Sequence, residues 1–166
     1  ATGSLFIVAH SFGALATVQA ASDYAERIAG ALLVAPADPE GFGVAEFLPT
    51  KPLGFPVILV ASTNDSWMAF DRAAHWATLW GAELVNLGEA GHINAEAGFG
   101  PWPEALALLE RLRRAAEFRA AAERLAALSL SHARPAQRHR LPRQIRPQQR
   151  AVKAFGPHDI KGAAAL

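Results

Sequence analysis

The sequence predicts an α/β fold, in which a parallel sheet is covered on both faces by helices. Four short apolar runs carry this prediction, at residues 5–8, 31–35, 55–61 and 83–87. Long segments, rather than tight turns, separate them, and two of these three segments have helical composition. Strands that are apolar on both faces are buried on both, as in parallel sheets, and parallel strands need long crossover connections.

The helices are predicted from composition and from end signals. The segment 13–21 is rich in Ala, which has the highest helix propensity. The segment 69–80 is followed by Gly81, a residue typical of helix C-termini. Pro103 suits a first helical turn and starts a long helix that we predict to reach about Leu130.

This long helix carries apolar residues at positions 106, 109, 112 and 116, interleaved with Arg and Glu. The spacing gives one apolar stripe. We therefore expect the helix to cover a sheet face and not to enter a membrane. Residues 37–54 are rich in Pro, Gly and acidic residues and are predicted to form a loop.

The composition fits one globular domain and excludes several classes of protein. The chain has 166 residues, of which 51% are hydrophobic, enough for a sizeable core. It has no Cys, which excludes disulfides and Cys-based zinc sites and favours a cytoplasmic location. No apolar run approaches the roughly 18 residues of a membrane span, and no signal peptide opens the chain.

The charge divides the chain in two. Residues 1–130 carry eight Lys and Arg against fourteen Asp and Glu, whereas residues 131–166 carry eight against one. The second segment is also rich in Pro, Arg and Gln, so we expect a domain at 1–130 and a basic, disordered tail at 131–166. Nucleic-acid binding would need a folded reader or interleaved aromatics beside this charge, and neither is visible. No nucleic-acid partner is expected.

The strongest local signal for chemistry is Ala9-His10-Ser11-Phe12-Gly13, between a predicted strand and a predicted helix. This is the context of a nucleophile elbow, a sharp turn that exposes a serine hydroxyl above the sheet. Small residues two positions before and after the serine would let neighbouring backbones pack closely around the turn. The N–H of Phe12 is the natural oxyanion-hole donor. The alternative is an ordinary turn in which Ser11 caps the helix.

Two further residues follow strand ends. Asp65 lies just past the third strand and His92 just past the fourth. In a parallel sheet such positions share the carboxyl edge, where active sites form. The chain order Ser, Asp, His is that of α/β-hydrolases. His92 would then act as base and acid for Ser11, with Asp65 orienting its imidazole. The alternatives are a helix cap for Asp65 and a loop histidine for His92.

Other polar and aromatic residues flank these three. His10, Asn64, Asn94, Glu96 and Trp102 are candidates for a substrate pocket. Their alternative roles are packing beneath the elbow for His10, loop hydrogen bonding, and, for Trp102, packing against the long helix. No His and carboxylate residues have metal-ligand spacing, so no metal site is predicted.

The sequence resembles the small serine hydrolases related to retinoblastoma-binding protein 9 and the bacterial YdeN proteins. The matching stretches are Val8-Ala9-His10-Ser11-Phe12-Gly13, Val34-Ala35-Pro36-Ala37-Asp38, Ala61-Ser62-Thr63-Asn64-Asp65 and, most specifically, GEAGHINAEAGFGPWPE at 88–104. The resemblance covers roughly residues 4–115. It implies a three-layer α/β-hydrolase fold, a triad of Ser11, Asp65 and His92, no metal or organic cofactor, and small acyl esters as substrates.

One departure from the family concerns the start of the chain. Family members have an upstream strand and a His-Gly loop that supplies the second oxyanion-hole donor, and neither is seen before Leu5. A buried strand so close to the first residue also predicts that upstream sequence is missing and that this strand is left with an unpaired edge. The alternatives to an ester or amide hydrolase are therefore a truncated, non-catalytic interaction module, a misassigned reading frame and, more weakly, a nucleic-acid-binding protein acting through the basic tail.

Overall fold

A computed structural model describes residues 5–132 of the chain. It contains four strands and three helices, in the order β1 (Leu5–Ser11), α1 (Phe12–Tyr24), β2 (Ile28–Pro36), β3 (Val57–Ala61), α2 (Phe70–Trp80), β4 (Glu83–Asn86) and α3 (Pro103–His132). Single 3-10 turns occur at Ala25–Arg27, Ala45–Phe47 and Ala95–Ala97. Every predicted strand and helix is present, with ends that differ by a few residues.

The four strands form one parallel sheet in the order β1-β2-β3-β4. Along the chain, each new strand lies on the same side of the preceding strand. Right-handed connections between strands in this order all pass over the same face of the sheet. α1 and α2 lie on that face, and α3 covers the other. The predicted three-layer α/β fold is confirmed, and the carboxyl ends of all four strands meet at one edge.

Alternation along the strands divides the core between the two faces. Leu33 and Leu59 belong to a cluster with α1 and α2, which includes Trp76 and Trp80. Their sequence neighbours point the other way, and Leu32, Ile58 and Val60 pack with Leu112 of α3. A strand buried on both faces needs apolar residues at every position, as β2 and β3 have.

β1 is apolar but partly exposed. Leu5 is 52% exposed and Val8 is 59% exposed. Within the described residues β1 pairs only with β2, so it lies at the end of the sheet. Val8 pairs with Leu32 and so points to the α3 face, but α3 packs on β2 and β3 and leaves this part of β1 uncovered.

Only the first half of α3 has the predicted packing. Leu108, Leu109 and Leu112 contact the sheet cluster, whereas Leu106 is 69% exposed and Phe118 is 79% exposed. Leu106 was expected in the apolar stripe, and that part of the prediction is wrong because the helix turns this residue away from the sheet.

The outer face of α3 is charged. Arg113 pairs with Glu110 and Glu117 one turn away on either side. Hydrogen bonds from Arg113 and Arg114 lower the pKa of Glu110 to about 2. No helix within residues 5–132 is long and apolar enough to cross a membrane. Of the predicted tail at 131–166, only Ser131 and His132 are described, at the end of α3; residues 133–166 lie outside the described residues.

Candidate active site

The chain passes from β1 into α1 at Ser11 without an intervening loop. Ser11 has φ 55° and ψ −127°, a conformation that costs a non-glycine residue roughly 1–3 kcal/mol. Its side chain makes no capping hydrogen bond to α1, so the alternative of a helix-capping serine does not hold. The hydroxyl is instead presented at the carboxyl edge of the sheet, as in a nucleophile elbow.

His92 joins Ser11 to Asp65. The Ser11 Oγ lies 2.8 Å from His92 Nε2. On the other side of the ring, Nδ1 lies 2.9 Å from Asp65 Oδ2 and 3.1 Å from Oδ1. A carboxylate only accepts hydrogen bonds, so Nδ1–H donates to Asp65 and the Nε2 of the neutral ring accepts the Ser11 proton.

The inner end of this chain of contacts is shielded from solvent. The Asp65 side chain is 2% exposed and that of His92 is 11% exposed. Asp65 Oδ1 also accepts a hydrogen bond of 2.8 Å from the backbone N–H of Trp67. This contact with Trp67 holds the Asp65 carboxylate in place. The turn that contains Asp65 therefore sets the direction of the carboxylate towards His92.

His92 reaches Ser11 by crossing the end of the sheet. His92 follows β4, at the opposite end of the sheet from β1, so three strand spacings of about 4.8 Å separate the two strands. Residues 87–94, which we call the His92 loop, span the carboxyl ends of the intervening strands. Pairing between strands alone would leave His92 far from Ser11, so the course of this loop decides whether the site exists.

Two of the predicted pocket residues, His10 and Asn64, contact this loop. His10 Nε2 lies 2.8 Å from the carbonyl oxygen of His92, and the two rings are 4.8 Å apart. Asn64 Oδ1 accepts a 2.7 Å hydrogen bond from the N–H of Gly91. Both side chains therefore bind the backbone next to His92.

Two of the remaining three pocket candidates, Asn94 and Trp102, have local structural contacts. Asn94 Oδ1 accepts a hydrogen bond from the N–H of Ala97 and caps a single 3-10 turn. Trp102 packs edge-on against Phe99 with ring centroids 5.7 Å apart, at the cluster beneath α3. These contacts match the alternatives of loop hydrogen bonding and helix packing. Glu96 is exposed.

Phe12 lies at the expected position after Ser11. As the first residue of α1, it has an N–H without an intrahelical acceptor. The role expected of Gly13 is not supported. Within the described residues, a Cβ built on Gly13 would meet no atom within 4 Å, so close backbone packing does not require a glycine there.

An aromatic row beside His92 was not anticipated from the sequence. Trp67 lies 6.0 Å from His92, Phe42 stacks on Trp67 at 6.2 Å, and Phe12 lies 5.3 Å from Phe42, between ring centroids. Phe12, Phe42 and Trp67 are each about half exposed. The available signal was local: Trp67 is a large aromatic two residues after Asp65, in a loop at the active edge.

A charged contact holds the loop that bears Phe42. Arg72 Nε on α2 lies 2.8 Å from Asp38 Oδ2, and Arg72 also pairs with Glu40. Burial alone would raise the pKa of Asp38, but hydrogen bonds from Arg72 and from the N–H of Glu40 outweigh it and hold this pKa below its ordinary value. The sequence offered no signal for this contact between residues 34 positions apart.

In the part of the chain that the structure describes, no group of three or more His, Asp or Glu side chains is arranged to hold a metal ion. The site is therefore built from a serine, an imidazole and a carboxylate, with aromatic surface on one side.

The sequence model of the serine hydrolase family matches residues 1–111 of this chain. The chain belongs to the serine hydrolase family. Among solved structures, it is similar to a YdeN-like hydrolase from Pectobacterium atrosepticum, with 48% identity and a TM-score of 0.61 over 68% of this chain. The ydeN gene product of Bacillus subtilis shares the fold, with 21% identity and a TM-score of 0.52 over 64% of this chain.

The chain spans 60% of the Pectobacterium protein and 64% of the Bacillus protein. No curated protein gives a significant match. The predicted membership of the small serine hydrolases and the likeness to YdeN proteins are confirmed. The likeness to retinoblastoma-binding protein 9 and the absence of an upstream segment stay predictions.

Proposed function

We propose that this serine hydrolase cleaves small acyl esters, or amides, with Ser11 as nucleophile, His92 as general base and acid, and Asp65 as the group that orients His92. The observation that carries the proposal is the continuous hydrogen-bonded chain from Ser11 Oγ through His92 to Asp65, at 2.8 and 2.9 Å. These are the contacts required for proton transfer.

The reaction follows from the donors and acceptors at these atoms. Ser11 Oγ bonds to the substrate carbonyl carbon while its proton moves to His92 Nε2. The C–O or C–N bond to the leaving group then breaks, and His92 gives this proton to the departing alcohol or amine. Water then attacks the acyl-serine carbonyl carbon while its proton moves to His92; the bond to Ser11 Oγ breaks, His92 returns this proton to Oγ, and the acid is released. Asp65 stays ionised and stabilises the imidazolium.

The negative charge on the carbonyl oxygen needs donors of its own. The N–H of Phe12 is the first free N–H of α1 and lies next to the nucleophile in sequence. The positive end of the helix dipole acts at the same place. Loss of one oxyanion-hole donor costs roughly a hundred- to a thousand-fold in rate, so a second donor matters for turnover. Family members supply it from an upstream loop.

The aromatic row supports an apolar substrate. Phe12, Phe42 and Trp67 present half-exposed ring faces that end at His92. An apolar acyl or alcohol group lying on these rings would leave its carbonyl close to Ser11. Small-molecule substrates of this kind require neither a membrane nor nucleic acid, and we expect a cytoplasmic location.

A second candidate is a non-catalytic interaction module. The observation in its favour is the exposed apolar edge of β1, where Leu5 and Val8 are more than half exposed. Exposed strand edges pair readily with other chains. The intact contacts among Ser11, His92 and Asp65 favour the hydrolase, because an interaction module has no need of them.

A fluorophosphonate probe separates the two candidates, since it labels only an activated serine. We expect the 166-residue chain to be labelled, and Ser11→Ala to abolish labelling. His92→Ala and Asp65→Asn should slow it strongly, and Ser22→Ala, an exposed serine of α1, should leave it unchanged. Labelling that survives Ser11→Ala, or no labelling of a folded chain, would contradict the hydrolase proposal.

A further inference from the structure

The His92 loop is attached to the sheet by four successive hydrogen bonds. The first two are backbone contacts, from Leu87 N to Ala61 O at 2.9 Å and from Thr63 N to Gly88 O at 2.8 Å. They continue the pairing of β4 with β3 beyond the strand ends. Beyond Gly88 the loop leaves this register, and side chains make the remaining two contacts.

The backbone around His92 is strained. Ile93 has φ 47°, an unfavourable value for a β-branched residue. Gly91 has φ 56°, and a Cβ there would lie 2.9 Å from the Cβ of Ala97. Strained backbone persists only where surrounding contacts hold it. The direction of the His92 ring is therefore imposed by the groups that bind this loop.

Asn64 binds the loop on the near side of His92. Its Oδ1 accepts the N–H of Gly91 at 2.7 Å and the hydroxyl of Ser62 at 3.0 Å. Ser62 is only 1% exposed, so the amide is anchored to a buried hydroxyl at the end of β3. Asn64 also directly precedes Asp65, so two consecutive residues bind the loop and His92 itself.

His10 binds the loop on the far side. A carbonyl oxygen only accepts, so His10 Nε2–H donates to the oxygen of His92 at 2.8 Å. His10 directly precedes Ser11 on β1. Its contact therefore sets the distance between the strand that carries Ser11 and the peptide unit that carries His92.

We propose that His10 and Asn64 are positioning residues, which hold the carbonyl of His92 and the N–H of Gly91 so that the His92 Nε2 stays within hydrogen-bond distance of Ser11. This inference rests on the proposed hydrolase function and assigns these two residues a role other than the pocket lining expected from the sequence. A pocket residue affects chiefly substrate affinity. A positioning residue affects the reactivity of Ser11 towards any electrophile.

The test compares variants that remove each contact with variants that keep it, in the full 166-residue chain. His10→Ala removes the donor, and His10→Gln keeps an N–H able to reach the same carbonyl. Asn64→Leu removes the acceptor, and Asn64→Asp keeps an oxygen. The matched control is His75→Ala, which removes an exposed histidine of α2.

We measure fluorophosphonate labelling rates, melting temperatures and the NMR signal of the proton on His92 Nδ1. His10→Ala and Asn64→Leu should slow labelling roughly ten- to a hundred-fold, as expected for a displaced catalytic group, and shift or broaden the His92 signal. His10→Gln and Asn64→Asp should recover part of the rate, and His75→Ala should match the parent. With p-nitrophenyl acetate, kcat should fall while KM stays near the parent value.

The NMR signal keeps this inference separate from the proposed function. If the parent chain is not labelled but His10→Ala and Asn64→Leu still change the His92 signal, the positioning role stands and the hydrolase proposal fails. If the parent chain is labelled and both variants react like it, the positioning role is overturned. An unchanged His92 signal in both variants overturns it as well, whether or not the parent is labelled.

Discussion

Leu112 of α3 occupies the space that a side chain at Gly30 of β2 would need. A Cβ built on Gly30 would lie 2.9 Å from Leu112 Cγ and 3.1 Å from its Cδ1. Leu112 is 1% exposed and belongs to the cluster that joins α3 to the sheet. The close approach of α3 to β2 therefore depends on the absence of a side chain at position 30.

Gly30→Ala should destabilise the protein by about 1–3 kcal/mol, the usual cost of forcing extra carbon into a packed core. Leu112 is only 1% exposed, so a methyl group at position 30 must displace its side chain or increase the separation of β2 and α3. Chemical denaturation measures the effect. Gly100→Ala is the control, because a Cβ there meets nothing within 4 Å in the described residues. Equal stabilities of the two variants would contradict this account of the packing.

Gly13→Ala should be tolerated. The added methyl group meets no described atom within 4 Å, and replacing a helical glycine by Ala typically adds about 0.4–1 kcal/mol of stability. We expect an equal or higher melting temperature and a labelling rate close to that of the parent chain. A large loss of labelling with the fold intact would show that Gly13 has a steric role in the elbow after all.

Trp67→Ala should weaken substrate binding more than it affects the reactivity of Ser11. The ring lies 6.0 Å from His92 and is 55% exposed, so its loss removes apolar surface beside the site. The backbone N–H that binds Asp65 remains. KM for p-nitrophenyl butyrate should rise several-fold while fluorophosphonate labelling changes little, and Trp67→Phe should recover part of the affinity. Phe118→Ala, on the outer face of α3, is the control.

The Asp38–Arg72 contact should make a small, pH-dependent contribution to stability. The two side chains are 24% and 36% exposed, so solvent screening limits the effect of Arg72→Gln to about 1 kcal/mol or less at neutral pH. The pKa of Asp38 is lowered from 3.8 in the folded state. Its contribution is therefore complete above pH 3.8 and is lost as pH falls through the lowered value.

The difference in unfolding free energy between the parent chain and Asp38→Asn should accordingly be constant near neutral pH and shrink in acid. Denaturation at several pH values measures it. Arg111→Gln, which breaks a more exposed pair with Glu83, is the control and should have a smaller effect. A difference that grows in acid would show that the pKa of Asp38 is raised rather than lowered.

The sequence by itself determined the elements and the chemistry available at their ends. Apolar runs and helix end signals predicted the order of strands and helices, because a strand that is buried on both faces is apolar at every position. Ser11, Asp65 and His92 were identified because parallel strands end at one edge. The stretch at 88–104 added the family resemblance. These features depend on residues that are close to one another along the chain, so they can be recognised directly in the sequence.

Only the tertiary structure decided which side chains from different segments meet. The sequence of β1 is apolar on both faces, but how much of β1 is buried depends on its place in the sheet, which the strand's own residues do not record. His10 and Asn64, which the sequence placed among the pocket candidates, bind the loop that carries His92 from one end of the sheet to the other. The course of that loop follows from strand order, strained backbone and contacts between distant residues, none of which leaves a periodic pattern in the sequence.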